Sequence, residues 1–235
     1  MIHKNIIFIG TSHISKESIL EIKLKINQEK PDIITVELDK RRYYALKNNQ
    51  HQKQNFNLKT ISKIGLKGYL FLIIGQFIQK KLGSIVNIEP GSDMLEAIKL
   101  CEKNNIQLEL IDRDIEKTLK RFSQKISWRE KITLIFDLFK GFFLKNKNPN
   151  LNFNLEKVPK KEIIEKLLIE LKIRYPNIYE VLIEERNNFM AKKLFKLSNE
   201  NSKKKILCII GAGHESGIID YLMKFQQSNI TFLPD

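Results

Sequence analysis

The sequence predicts an α/β protein: a central, mixed, largely parallel sheet flanked by helices, with a mainly helical insertion in its middle. Three observations predict it. The run IIFI at 6–9, the helical pattern after Ser15 and the run IITVEL at 33–38 form a strand–helix–strand unit, which favours parallel strands joined by a crossover helix. The middle of the chain then reads as helices. Close to the end, the apolar run at 205–210 opens into GAGHES much as the first strand opens into GTSH.

Each element follows from local chemistry. Residues 6–9 are β-rich and end at Gly10. In KESILEIKLKINQEK, Ile19, Ile22 and Ile26 recur at helical spacing, and Ser15 is placed to cap that helix. Pro31–Asp32 ends it before the second strand. Helices are expected over 59–82 and 92–104, separated at Pro90–Gly91, and IQLELI at 106–111 alternates as a strand does. Two helical stretches fill 115–145 with an interruption near Ser127–Trp128, and the Asn/Lys-rich stretch 145–159 reads as a loop or linker. Helices over 160–173 and 177–198, broken at Pro176, lead to strand 205–210, a helix after His214 and a short strand at 230–233. No internal repeat is present. The expectation is a single domain over 1–235, its helical insertion running from about 59 to 200 and interrupted by strand 106–111.

Composition narrows the function classes. At 235 residues, with 42% apolar and 29% charged residues, the chain can build one sizeable core. Its net charge of +14 would suit a phosphate backbone, but the lysines are spread along almost every segment and no nucleic-acid motif accompanies them, so no nucleic-acid partner is expected. Two cysteines, Cys101 and Cys208, suggest a reduced, cytoplasmic protein without a disulfide framework. The start of the chain has no signal-peptide pattern. YLFLIIGQFI at 69–78 covers about half of the roughly 20 residues that span a bilayer. It reads as a buried helix first and a peripheral membrane contact second, and its need for cover favours a homodimer.

Chemistry collects at strand ends. In open α/β sheets, ligands bind beyond the carboxyl ends of the strands. There the sequence places Gly10 and His13, then Glu37 with Asp39 and Arg41, then Asp112, Arg113 and Asp114, and finally Gly211, Gly213 and His214. The glycines allow sharp turns and close approach to a ligand. Two neutral imidazoles and a carboxylate suit a divalent metal with positions open for water and substrate, and Arg41 could then stabilise an oxyanion. Plainer readings stand beside this one: Glu37 as a structural cap, Arg41 as a solvated helix residue, GAGHES as a phosphate cradle lacking the P-loop lysine.

GTSHISKES with VELDKRRYYAL resembles the opening of the TraB family, which includes the PrgY pheromone-shutdown proteins. The resemblance continues through EPGSDMLEAIKLCEKNNIQLELIDRDIEKTLKR and EERNNFMAKKL to IIGAGHESGI, so that ordered blocks span about 6 to 219. It implies kinship with the Tiki metalloproteases and an erythromycin-esterase-like fold. It further implies His13, His214 and Glu37 as ligands of a divalent metal such as Mn, Co or Zn, with Arg41 as an active-site cation. Glu185, Arg186 and Asn187 would be brought to the same crevice, and Gly10, Gly211 and Gly213 would shape it. Asn187 stands where PrgY-like members carry Asp, and Asp93 where Glu is more usual. The expected function is a metal-dependent hydrolase of peptides; the alternatives are a peptide-sequestering protein of the pheromone-shutdown type and a metal- or haem-binding protein.

Overall fold

A computed structural model describes residues 5–12, 16–48, 91–144 and 161–228. Four described strands, β1 (Ile6–Thr11), β2 (Ile33–Val36), β3 (Gln107–Leu110) and β4 (Ile206–Gly211), form one sheet in the order β1-β4-β2-β3, and every pairing is parallel. The register aligns Thr11 with Gly211, Val36 with Ile209 and Val36 with Leu110, so the carboxyl ends of the strands share one edge.

The last strand in sequence lies between β1 and β2, and its composition explains why. Every residue of ILCIIG is buried, as a strand covered on both faces requires. Its side chains alternate between two cores. Leu207 and Ile209 join Ile22, Ile26, Met94 and Ile98 beneath α1 (Lys16–Glu29), α2 (Lys40–Lys47) and α3 (Ser92–Asn104). On the opposite face, Cys208 and Ile210 pack with Met190, Leu194, Ile218 and Leu222.

The remaining helices are α4 (Ile115–Lys125), α5 (Trp128–Leu144), α6 (Lys161–Arg174), α7 (Pro176–Tyr179), α8 (Glu185–Glu200) and α9 (Ala212–Gln227). A π-helical turn, Glu180–Glu184, joins α7 to α8. Pro176 at the first helical position costs no hydrogen bond, so it starts α7 as readily as it closes off α6. Ser127 and Glu130 form a reciprocal capping box at the start of α5: the Ser127 amide donates to Glu130 Oε2 over 3.0 Å, and the Glu130 amide to Ser127 Oγ over 3.2 Å. The same carboxylate accepts the Asn177 amide over 2.7 Å, so one acid caps two helices.

Boundaries shift in three places from those the sequence suggests. The second strand ends at Val36, because Leu38 turns back to donate its amide to the Val36 carbonyl over 2.8 Å. The final helix begins at Ala212, placing His214 within its first turn instead of ahead of it. Helix α2 has no counterpart in the sequence reading, since KRRYYALK lacks an apolar stripe; Asp39 starts it by accepting the Arg41 and Arg42 amides. The expected helix 59–82, the linker 145–159, the strand 230–233, the cap Ser15 and Pro90 lie outside the described residues. Among the described residues, no helix is long and apolar enough to cross a membrane.

Candidate functional site

Two of the strand-end residues, Glu37 and Asp112, stand immediately beyond β2 and β3 with carboxylates buried at 5% and 3% exposure. Burying two acids side by side is costly unless cations compensate them. Arg186, on the first turn of α8, supplies that charge. Its Nη2 donates to Glu37 Oε1 and, over 2.6 Å, to Asp112 Oδ2; its Nε donates to Asp112 Oδ1 over 3.1 Å. Nη1 donates to the Leu182 carbonyl over 3.2 Å and lies 3.0 Å from His214 Nε2. The planar fork suits this arrangement as a lysine would not.

A second guanidinium braces the first. Arg42 donates through Nη2 to Asp112 and through Nε to Asp39 Oδ2 over 2.6 Å. Burial alone would push the Asp112 carboxyl up, but Arg186 and Arg42 override it and hold the group below the usual carboxylate range. Burial likewise works against the Arg186 charge, and Glu37 and Asp112 more than restore it.

His214, in the first turn of α9, and Glu37, just after β2, close the cluster at the end of β4. Glu37 Oε2 accepts the Gly211 amide over 2.7 Å, placing a carboxylate at the amino end of α9 where the helix dipole favours it. The structural-cap reading of Glu37 therefore holds alongside its pairing with Arg186. His214 Nδ1 lies 2.6 Å from Asn187 Oδ1, an acceptor for a proton on that nitrogen, while Nε2 lies 3.0 Å from Arg186 Nη1 and 3.3 Å from Glu37 Oε1.

Other sequence candidates lie elsewhere. Arg41 is not in the buried cluster: its side chain is 53% exposed and pairs with Glu116, with Asp114 3.7 Å away. Neighbouring residues of a helix point about 100° apart, so Arg42 is the one turned inward. Glu185 faces away from His214 and is held between Arg113 (2.7 Å) and Arg121 (2.8 Å); burial would raise its carboxyl, and these guanidiniums hold it low. Arg186 and Asn187, the next two residues, both reach the site. Gly10 pairs with Ile210 and Gly211 with Thr11 at the β1–β4 edge, and a Cβ on Gly10 would lie 2.8 Å from Glu215 Oε2. Gly213 lies one residue ahead of His214 in α9. Asp93 is buried in the first turn of α3, its Oδ1 accepting the Met94 amide over 2.8 Å. His13 lies outside the described residues.

Of the three expected ligands, the described residues include His214 and Glu37. Two ligands on a tetrahedral ion with bonds of about 2.0–2.1 Å lie roughly 3.3–3.4 Å apart. The separation of His214 Nε2 and Glu37 Oε1, 3.3 Å, matches that edge. Arg186 bridges the same two atoms as a resident cation. Among the described residues, no group of three or more His, Cys, Asp or Glu side chains could hold a metal.

The chain is a parallel α/β protein with charged and histidine side chains from remote segments gathered at the carboxyl edge of its sheet, where open α/β sheets bind their ligands. The chain belongs to the TraB/PrgY/gumN family, whose model matches residues 3–232. It is 40% identical over 229 residues to an uncharacterized protein of Methanocaldococcus jannaschii, covering 96% of this chain and 55% of that one. The human TraB domain-containing protein is 25% identical and the mouse one 24%, each over 236 residues that cover 89% of this chain and 60% of the relative. The chain thus spans little more than half the length of the relatives it matches.

Proposed function

We propose that the chain is a hydrolase of peptides whose site is the His214–Glu37–Arg186 cluster, with a divalent metal held by His13, Glu37 and His214. The observation that carries the reading is the buried imidazole whose Nε2 faces a carboxylate oxygen 3.3 Å away. The metal ligation follows the family resemblance and the matching donor spacing; when bound, the ion would lower the pKa of its water and polarise a carbonyl. The chain's own residues perform the rest. Asn187 orients the His214 ring, Arg42 braces Asp112, and Asp112 holds Arg186, whose five N–H groups are all engaged within the protein and tie Glu37 to His214.

The test is metal analysis of the purified protein, then incubation with a peptide library with and without chelator. Cleavage that disappears in His214→Ala and Glu37→Gln, with folding retained, is the expected result. Metal-replete protein that binds peptides without forming products would overturn it. One observation favours such sequestration as the second reading: both oxygens of Glu37 and both of Asp112 already accept hydrogen bonds within the protein.

A further inference from the structure

Behind the His214 cluster, between α6, the π-helical turn and α9, lies a polar cavity of about 140 Å³. It has room for roughly four or five waters at about 30 Å³ each. Its innermost lining residue is Asn187, only 2% exposed. The carbonyl end of that side chain is committed to His214. The amide end is not: Nδ2 lies over Gly217, whose missing Cβ would stand 2.2 Å from it, and among the described residues it has no hydrogen-bond acceptor. That nitrogen offers its two protons to whatever occupies the cavity.

Two carboxylates, Glu184 and Asp220, also line the cavity. Glu184 accepts the Tyr221 hydroxyl over 3.1 Å and also bonds the Tyr179 hydroxyl. Asp220 is exposed and has no hydrogen-bond or ion-pair partner among the described residues. Lys224, one turn further along α9, does not neutralise it; its ammonium lies 5.2 Å from the centre of the Tyr221 ring. The lining therefore combines an amide donor with no acceptor among the described residues, a carboxylate with no cation partner among them, aromatic faces that tolerate a cation, and Lys224, turned onto one of those faces.

We propose that this cavity is a binding subsite for a primary ammonium group with a carbonyl oxygen close to it, the ammonium held by Asp220 and Glu184 and the oxygen by Asn187 Nδ2. That chemistry occurs at the first residue of a peptide and, with a longer reach, at a lysine side chain. The inference deepens the peptide reading above and rests on it for the kind of ligand. Because Asn187 also holds His214 Nδ1, an occupied cavity would steady the imidazole from behind.

The test is calorimetric titration of the full chain with three small probes: alaninamide, N-acetylalaninamide and Nα-acetyl-lysine methylamide. Alaninamide is expected to bind with a Kd of about 1 mM, and N-acetylalaninamide, which lacks the ammonium, at least about tenfold more weakly. Binding of the lysine probe in place of alaninamide would assign the side chain as the source. Asp220→Asn, an exposed and fold-neutral change, is expected to weaken the bound probe by about tenfold, the scale of one charge-assisted hydrogen bond. Failure to hydrolyse peptides would sink the proposed activity while leaving these titrations intact. Equal binding of the acetylated and free probes, no binding of any probe, or an unchanged Asp220→Asn affinity would overturn the subsite.

Discussion

Asp112→Asn tests the idea that the site is held together by charge. The carboxylate is 3% exposed and accepts Arg186 Nε and Nη2, Arg42 Nη2 and, over 2.7 Å, the Arg113 amide. Asparagine keeps the shape but removes the charge, and it turns an NH₂ toward guanidinium donors that need an acceptor. Removing one partner of a buried ion pair costs about 3–5 kcal/mol. For a chain of this size that is a fall in Tm of roughly 10 °C. The pH dependence has a definite sign. Arg186 and Arg42 outweigh burial and hold the folded-state pKa of Asp112 below its unfolded value of about 3.9. The stabilisation is therefore complete above about pH 4 and is lost as pH falls toward the folded-state pKa. Urea unfolding of both proteins at about pH 7 and pH 3 should show the gap narrowing by roughly 1 kcal/mol in acid. A loss under about 1 kcal/mol at neutral pH, or a gap that does not narrow in acid, would refute the reasoning.

Gly217→Ala would place a Cβ 2.2 Å from Asn187 Nδ2 and 3.1 Å from its Cγ, forcing Asn187 off His214. A cost of about 1–3 kcal/mol is expected, with a change in the His214 ring-nitrogen shifts by NMR; an unchanged imidazole spectrum would count against the Asn187 assignment. Glu130→Ala removes the acceptor for the Ser127 and Asn177 amides and should lower unfolding free energy by about 1–3 kcal/mol. Loss of α5 and α7 protection in hydrogen exchange would check it. Burial pushes the Cys101 and Cys208 thiols up to about 12, so neither should react with iodoacetamide at about pH 8 in the native protein, while both should do so in denaturant. Rapid labelling of the folded chain would contradict their burial.

Much of the architecture was legible in the residues because local rules govern it. The apolar runs ended by Gly10 and Gly211, the Pro31 break and the interruption near Ser127–Trp128 each act within a few residues, and the strands, α1 and α5 appear where those signals stand. Helix α2 escaped because its stability comes from the Asp39 cap and not from an apolar stripe. At the site, residue type and strand-end position pointed to Glu37 and His214, and resemblance to Arg186 and Asn187. The choice of Arg42 over Arg41 was not legible, since the two adjacent arginines differ only in which direction the helix turns them.

By itself, the sequence determined the element types, the parallel α/β class, the family and the grouping of histidine and acidic residues at strand ends. Only the tertiary structure decided that β4 lies between β1 and β2, and therefore that Gly211 meets Glu37 and His214 meets Asn187. Secondary structure is set by neighbours in the chain. Ion pairs such as Glu37 with Arg186, 149 residues apart, are set by burial, because a charge taken out of water must find its counter-charge wherever the packed sheet brings one.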